Sequence, residues 1–179
     1  RETIIDVGAE STAPGRNAIS ASQEMERLDR YFFTILNTLK RSVRVSIDTY
    51  KPEVIDWCVS KLKAFPQVER VIWNDVSGLY HDRVIDILKL YPELNYVLCH
   101  NKVASRSEVL SHSTLGTSSL NRNHNIYSEV VHFFADALEY FKEQKMENRI
   151  ILDPAFGFAK SRMENWSLVE KIPSLLQSF

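Results

Sequence analysis

Polar side chains that could bind a ligand recur along this sequence, and each group follows directly after a short apolar run. They are Asp6 and Glu10, Asp48 and Thr49, Asn74 and Asp75, Cys99, His100 and Asn101, and Asp153. A carboxylate accepts hydrogen bonds from paired N–H donors, and an Asn side chain supplies both a donor and an acceptor. Because buried acids without a partner are costly, the set predicts a pocket for a flat ligand with N–H donors and ring acceptors.

Helix capping is the simpler explanation for any one of these residues. Asp48, for example, could cap a helix that begins near Pro52, and caps of this kind are common. Five groups, each at the end of an apolar run, are hard to explain by capping alone. We therefore favour a ligand pocket.

Other kinds of site have little support in the sequence. Of the five histidines only His100 follows an apolar run, and no HExxH motif is present. A structural or capping His is therefore favoured over a zinc ligand. The sequence also lacks the GxGxxG, GxxxxGK[ST] and GxSxG motifs, so nothing indicates a dinucleotide site, a P-loop or a serine nucleophile.

The apolar runs predict five strands, and the amphipathic segments between them predict five helices. The strands are 3–7, 43–47, 70–73, 96–99 and 149–152, and the helices are 21–40, 52–65, 82–90, 126–145 and 166–177. Near-continuous apolar runs are typical of strands buried on both faces of a parallel sheet. Alternating strands and helices predict right-handed crossovers, with all carboxyl ends at the ligand-binding edge. An open doubly wound sheet and a (β/α)8 barrel both remain possible, although five strands do not close a barrel.

Local signals mark several helix ends. Ser20 with Gln23 predicts a capping box, Pro52 fits a first helical turn, and Pro92 ends the third helix. In 126–145, apolar residues at helical spacing are interpreted as core; they are Val130, Phe133, Phe134, Leu138 and Phe141. The polar segment 101–125 is longer than a plain connection of about 12–15 residues. It is either a mobile functional loop or an inert insertion, and its composition favours the loop.

Length, composition and charge limit which classes of protein this sequence can encode. The chain has 179 residues, of which 44% are hydrophobic and 25% charged, which predicts one globular domain over 1–179. A net charge of -1 predicts no attraction to nucleic acid or to an anionic membrane. No apolar run approaches the roughly 18 residues of a membrane span, and the first residues do not resemble a signal peptide. Cys58 and Cys99 lie within apolar patterns, so we expect reduced core thiols and a cytoplasmic protein.

Four sequence blocks carry a family resemblance. The blocks are IIDVGAESTAPG at 4–15, SIDTYKPEV at 46–54, WNDVSG at 73–78 and ILDPAFGFAK at 151–160. They resemble, in the same order, the signature blocks of dihydropteroate synthase. The ESTxPG block is the most specific, because related pterin-binding methyltransferases share the acidic strand ends but not this loop.

The resemblance implies a (β/α)8 barrel that is incomplete in this chain, with its first strand and last two strands not represented. It implies that p-aminobenzoate is joined to 6-hydroxymethyl-7,8-dihydropterin diphosphate, giving 7,8-dihydropteroate and diphosphate, with Mg²⁺ assisting diphosphate departure. It also implies a homodimer that is a sulfonamide target and, in some organisms, a fusion to a folate-pathway kinase. The metal-binding Asn of the family belongs to an upstream strand, so we expect no metal ligand in this chain and a longer natural protein.

The resemblance also assigns roles to residues of this sequence. The implied pterin-binding residues are Asp48, Asn74, Cys99, Asp153 and Gly157. The implied aminobenzoate-binding residues are Ser11, Thr12, Pro14 and Phe158. The implied catalytic residues are Asp48, Thr12 and Arg16. His100 corresponds to a strand-end position near the pocket.

Two positions depart from the family pattern. Ala13 stands where the family has an Arg that would meet an anion, and we expect Arg16 to substitute for it. Ala155 replaces a Gly, which is tolerable if the backbone there has negative φ. Two alternatives to a synthase therefore stay open: a non-catalytic paralogue that keeps the pocket, and a pterin- or folate-dependent methyltransferase module.

Overall fold

Five parallel strands form one sheet in the order β1-β2-β3-β4-β5 in this computed structural model. The structure describes residues 3–12, 16–81, 83–101, 103, 105–112 and 125–179. The strands are β1 Ile4–Gly8, β2 Val43–Asp48, β3 Val68–Asp75, β4 Asn95–Cys99 and β5 Ile150–Asp153. All five predicted strands are present. Because every neighbouring pair is parallel, the carboxyl ends of the strands meet at one edge.

Helices connect the strands, as the alternating pattern predicts. They are α1 Ala21–Arg27, α2 Thr34–Leu36, α3 Pro52–Leu62, α4 Val84–Leu90, α5 Val109–His112, α6 Ile126–Glu143, α7 Arg162–Glu170 and α8 Ile172–Ser178. A π-helical segment, Leu28–Phe33, joins α1 to α2, and 3₁₀ turns lie at Arg106–Glu108 and Glu147–Arg149. None of the helices in the described ranges is long and apolar enough to cross a bilayer.

The sequence signals that predict the beginning of α1, the beginning of α3 and the end of α4 are confirmed. The Ser20 hydroxyl accepts the Gln23 N–H at 3.2 Å, and the Gln23 side chain accepts the Ser20 N–H at 3.0 Å. Pro52 is the first residue of α3, and α4 ends at Leu90, before Pro92. These signals act within a few residues, which is why they can be read from sequence.

The last predicted helix, 166–177, is wrong in its bounds. Two helices occupy this region, and α7 begins after Ser161, whose hydroxyl forms a second capping box with Glu164. Pro173 lies in the first turn of α8. A proline cannot donate an intrahelical hydrogen bond and clashes with the preceding turn, so the helix is interrupted at Lys171.

The main hydrophobic core lies on one face of the sheet. Val45, Ile47, Trp73, Tyr96 and Leu98 point to this face and are completely buried beneath the helices. Val130, Phe134 and Phe141 of α6 are buried in this core and Phe133 packs against it, which confirms the predicted core role of these four residues. Leu138, the fifth predicted core residue, is only half-buried.

The opposite face of the sheet is partly polar and less buried, so within the described residues the prediction of strands buried on both faces holds fully for one face and in part for the other. Asp6 is exposed, and Arg44, Asp48 and Asn74 are only half-buried. Alternate residues of a strand point to opposite faces, so the polar residues within the apolar runs collect on this second face. Cys58 and Cys99 are both free and buried, as predicted.

The segment 101–125 is not wholly irregular. Its described part contains a 3₁₀ turn, Arg106–Glu108, and helix α5. Residues 113–124 lie outside the described ranges, so the predicted loop character of that stretch stays a prediction.

Candidate functional site

The strand register brings the predicted ligand-binding residues together. Gly8 of β1 pairs with Asp48 of β2, and Asp48 pairs with Asn74 of β3. On the other side, Cys99 of β4 pairs with Asp153 of β5. Residues paired across neighbouring parallel strands point to the same face. The carboxylates and the amide are therefore carried side by side at one edge of the sheet.

A glycine in β1 leaves room for the Asp48 carboxylate. A Cβ atom at Gly8 would lie 3.2 Å from the Asp48 Cβ and 3.3 Å from its Oδ2. Such a contact is closer than most side chains tolerate. Gly8 thus keeps the space beside Asp48 open at the strand end.

Asp48 has an unusual acidity for a carboxyl group. Burial, followed by the negative charges of Asp6, Glu24 and Asp75, raises the pKa of Asp48 from 3.8 to about 7. The side chain therefore changes charge near neutral pH. A ligand with N–H donors would favour the carboxylate form, because hydrogen bonds to a charged acceptor stabilise it.

Asp153 is held in place from both sides. Its Oδ1 accepts the Ala155 N–H at 2.8 Å, and its Oδ2 lies 3.4 Å from the Cys99 Sγ. Burial first, and then the charges of Asp153, Asp75 and Asp48, raise the pKa of the Cys99 thiol well above its usual value. Cys99 is therefore a neutral packing group beside the Asp153 carboxylate.

A second, smaller apolar cluster lies at the strand ends. Its buried members are Tyr50, Val76, Cys99, Val103, Val109 and Ala155, and Leu79, Val97 and Phe158 pack against it. Cys99 thus joins the acidic groups to an apolar surface that includes Phe158. An aromatic ligand could pack on this surface while its polar edge meets the carboxylates.

Asp75 serves the structure of the site and does not face a ligand. It is completely buried, its Oδ1 accepts the Ser77 N–H at 2.9 Å, and its Oδ2 accepts the Tyr96 hydroxyl at 3.0 Å. The Arg106 guanidinium donates to the same Oδ2 at 2.8 Å and to the Tyr50 carbonyl at 2.6 Å. The sequence offers no local signal for this pairing, because Arg106 and Asp75 are 31 residues apart.

Lys160 organises the turn that follows β5. Its ammonium is buried and donates to the carbonyls of His100, Ala155 and Phe158 at 2.9, 3.0 and 3.2 Å. Gly157 in this turn has φ +85°. Among the described residues, apart from Gly157 and its two chain neighbours, no heavy atom lies within 4 Å of the position that a Cβ would occupy. The open space fits the predicted close approach of a ligand to the backbone. Lys160 ends the block ILDPAFGFAK, but its role was not predicted.

Ala155 adopts a left-handed backbone conformation. Its φ is +51°, so the negative φ that would accommodate Ala without strain is not found at this position. The Ala155 N–H is held by Asp153 and its carbonyl by Lys160, so the turn imposes the left-handed conformation that a glycine would adopt without strain.

The loop after β1 is only partly described. Ser11 and Arg16 are exposed and Thr12 is half-buried. Ala13, Pro14 and Gly15 lie outside the described residues, so the predicted contact of Pro14 and the substitution of Arg16 for Ala13 stay predictions.

His100 has a structural environment. It is buried, its Nε2 lies 3.4 Å from Glu129 Oε1, and its ring meets the edge of Phe133 at 5.1 Å between centroids. Within the described ranges, no three His, Cys, Asp or Glu side chains are grouped closely enough to hold a metal ion.

Comparison with known proteins gives the context of this site. The family model described as pterin binding enzyme matches residues 2–179. A dihydropteroate synthase from Staphylococcus haemolyticus is 32% identical over 173 residues, which cover 97% of this chain and 55% of that protein. This chain spans about half the length of the curated relatives it matches.

Solved structures show the same fold. The dihydropteroate synthase of Clostridium difficile in the presence of pteroic acid has a TM-score of 0.73 at 23% identity, covering 97% of this chain and 57% of that one. The wild-type HPPK-DHPS of Plasmodium falciparum with pteroate has a TM-score of 0.69 at 23% identity, covering 95% and 29%. These likenesses confirm the predicted fold class, an incomplete (β/α)8 barrel.

The match to the family model extends over nearly the whole chain, and the blocks that resemble the family lie at the strand ends where the polar groups meet. The chain therefore belongs to the family of pterin-binding enzymes.

Proposed function

We propose that this chain is part of a dihydropteroate synthase, which joins p-aminobenzoate to 6-hydroxymethyl-7,8-dihydropterin diphosphate. The observation that carries this proposal is the edge formed by Asp48, Asn74 and Asp153 beside the apolar cluster around Cys99. Support also comes from the curated relatives, which are named dihydropteroate synthase at 32% and 30% identity.

The pterin ring would bind at this edge. Its N–H donors would meet the carboxylates of Asp48 and Asp153, and Asn74 would both donate to and accept from the ring. Cys99 would pack against the ring as an uncharged group, and Gly157 would allow close approach of the backbone. The aminobenzoate would lie on the side of Ser11, Thr12, Pro14 and Phe158.

The reaction needs stabilisation of positive charge. When the bond from the pterin methylene to the diphosphate oxygen breaks, its electron pair leaves with diphosphate and positive charge develops on the methylene. Fixed carboxylates in a partly dry pocket stabilise that charge, as an oxyanion hole stabilises the opposite sign. The neutral arylamine nitrogen then forms the new C–N bond and loses a proton, so no covalent enzyme intermediate is required.

Several parts of the proposal rest on the family resemblance alone. They are the action of Mg²⁺ on the leaving diphosphate, the homodimer, the cytoplasmic location and sensitivity to sulfonamides. The steps described above involve only the substrates and residues of this chain. Fusion to a folate-pathway kinase is a further part, and the HPPK-DHPS name of one structural relative supports it.

The test is calorimetric titration of the full natural protein with pteroate. We expect binding that is lost in Asp153→Ala and retained in Asp86→Ala, a matched variant at an exposed position of α4. Turnover would then be measured with both substrates and Mg²⁺. A folded wild-type protein that neither binds pteroate nor forms dihydropteroate would overturn the proposal.

A non-catalytic pterin-binding paralogue is the second candidate, favoured by Ala13 at the position of the family Arg. Pteroate binding without any turnover would select this candidate. A methyltransferase module is distinguished by sulfonamide, which should compete with aminobenzoate only in a synthase.

A further inference from the structure

Glu10, the acid that opens the ESTAPG run, points inward although it begins an exposed loop. Its side chain is only 4% exposed. The Oε1 atom accepts the Ile19 N–H at 2.7 Å, while Oε2 pairs with the Lys51 ammonium. One carboxylate thus joins the backbone before the loop to the backbone after it. It also ties both to the segment that follows β2.

Lys51 connects this carboxylate to a second one. Its ammonium donates to Glu24 Oε2 at 2.6 Å, and Glu24 in α1 is 1% exposed. The ammonium also lies 4.6 Å from the centre of the Tyr50 ring. Two buried acids with one shared cation form a tight cluster, because each acid would be strongly destabilising without its partner.

The cluster is adjacent along the chain to both parts of the proposed site. Lys51 follows Asp48 by three residues, and Glu10 directly precedes Ser11 and Thr12. Arg27 of α1 adds a second attachment at the same place, since its guanidinium donates to the Ala9 carbonyl at 2.9 Å. Glu10 and Lys51 have no role in the proposed chemistry, and Glu24 acts on the site only through its charge near Asp48, so the cluster needs another explanation.

We propose that Lys51 is a positioning residue which, through Glu10, fixes where Ser11 and Thr12 stand relative to Asp48. This inference rests on the proposed function, which places Ser11 and Thr12 on the aminobenzoate side. Lys51 would therefore govern binding of the arylamine more than binding of the pterin. An ion pair that only stabilised the fold would affect both substrates alike.

The experiment measures steady-state kinetics of the full natural protein with Lys51→Met and Lys51→Arg. A small displacement of positioning groups can change rates by about 10²-fold. We expect Lys51→Met to raise KM for p-aminobenzoate about tenfold and to leave KM for the pterin diphosphate within about twofold. Lys51→Arg keeps the charge and should restore most of the loss. Lys61→Met is the matched control. Lys61 lies on α3, the helix that begins directly after Lys51, and it also pairs with a carboxylate, Asp29, but at an exposed position.

Hydrogen exchange gives a readout that does not need activity. In Lys51→Met the Ile19 amide should exchange at least tenfold faster, because Glu10 loses the cation that holds it, while amides within α3 keep their rates. Glu10→Gln should have the same effect on the exchange of the Ile19 amide. This variant replaces Lys51→Met in the experiment if Lys51→Met does not fold.

The outcomes separate the two proposals. Equal KM changes for both substrates, or an unchanged Ile19 amide, would overturn the positioning role. An inactive wild-type protein would overturn the proposed synthase function. The exchange rate of the Ile19 amide would still test whether Lys51 holds Glu10 in place.

Discussion

The raised pKa of Asp48 makes the stability of the protein depend on pH. Its pKa in the folded protein is about 7, compared with 3.8 for an ordinary Asp. At pH values between these two, the folded protein retains the proton and the unfolded chain has lost it. By linkage, the free energy of unfolding is highest below about pH 4 and falls as the pH rises from about 4 to about 7. The site therefore holds a carboxylate at the expense of stability.

Replacing Asp48 with Asn should remove this pH dependence. One pKa unit corresponds to about 1.4 kcal/mol, and we expect Asp48→Asn to raise the free energy of unfolding at pH 8 by roughly 1–3 kcal/mol. At pH 4 the variant and the wild type should be equal. Urea unfolding at several pH values measures both. Parallel pH profiles for the two proteins would contradict the raised pKa.

Arg106 compensates the buried charge of Asp75 and joins three loops at the strand ends. Breaking a buried ion pair from one side costs about 3–5 kcal/mol. We expect Arg106→Leu to destabilise the protein by about 3 kcal/mol, as measured by urea unfolding. Arg41→Leu, at an exposed position, should have little effect. A loss below about 1 kcal/mol, the size typical of surface pairs, would show that Asp75 does not depend on Arg106.

At the scale of the elements, two tight turns after the strands shape the pocket. Gly78 after β3 has φ +71°, and a Cβ there would lie 2.6 Å from the Cys99 carbonyl oxygen. Ala155 after β5 has φ +51°. The first turn thus needs its glycine for both conformation and space, whereas the second tolerates a side chain at some strain.

Exchanging the two residue types should have opposite effects. The left-handed conformation costs an L-residue about 1–2 kcal/mol, so Gly78→Ala should destabilise by at least 2 kcal/mol once the clash is added. Ala155→Gly should raise stability by up to about 1 kcal/mol, because the released strain exceeds the added chain entropy. Thermal unfolding of both variants measures the difference. Destabilisation by Ala155→Gly would contradict the strained turn.

At the scale of the whole molecule, the sheet separates an apolar side from a polar one. Trp73 links them: its ring is completely buried in the main core against Tyr96, and its Nε1–H donates to the Thr49 carbonyl at 2.7 Å. Thr49 follows Asp48 directly. The packing of the core therefore supports the backbone that carries the site.

Trp73→Phe should weaken this support. Leaving a buried carbonyl without its donor costs about 1–3 kcal/mol, and the smaller ring adds a cavity. We expect a loss of about 3 kcal/mol in urea unfolding and weaker pteroate binding. Trp166→Phe is the control, because Trp166 is 56% exposed. Equal stabilities of the two variants would contradict the role of Trp73.

The sequence by itself determined the order of strands and helices, several helix ends and the polar groups at the strand ends. Each depends on residues that are neighbours along the chain. Ser20 and Gln23 form their box within one turn, and Asp48, Asn74 and Asp153 each lie where an apolar run ends. Parallel topology then requires these ends to meet at one edge.

Only the tertiary structure decided which polar groups hold one another. Lys51 and Glu10 are 41 residues apart, Arg106 and Asp75 are 31 apart, and Lys160 reaches the His100 carbonyl across 60 residues. The left-handed backbone of Ala155 likewise depends on its partners Asp153 and Lys160. No local pattern encodes these choices, because each depends on the exact positions of side chains that the fold brings together.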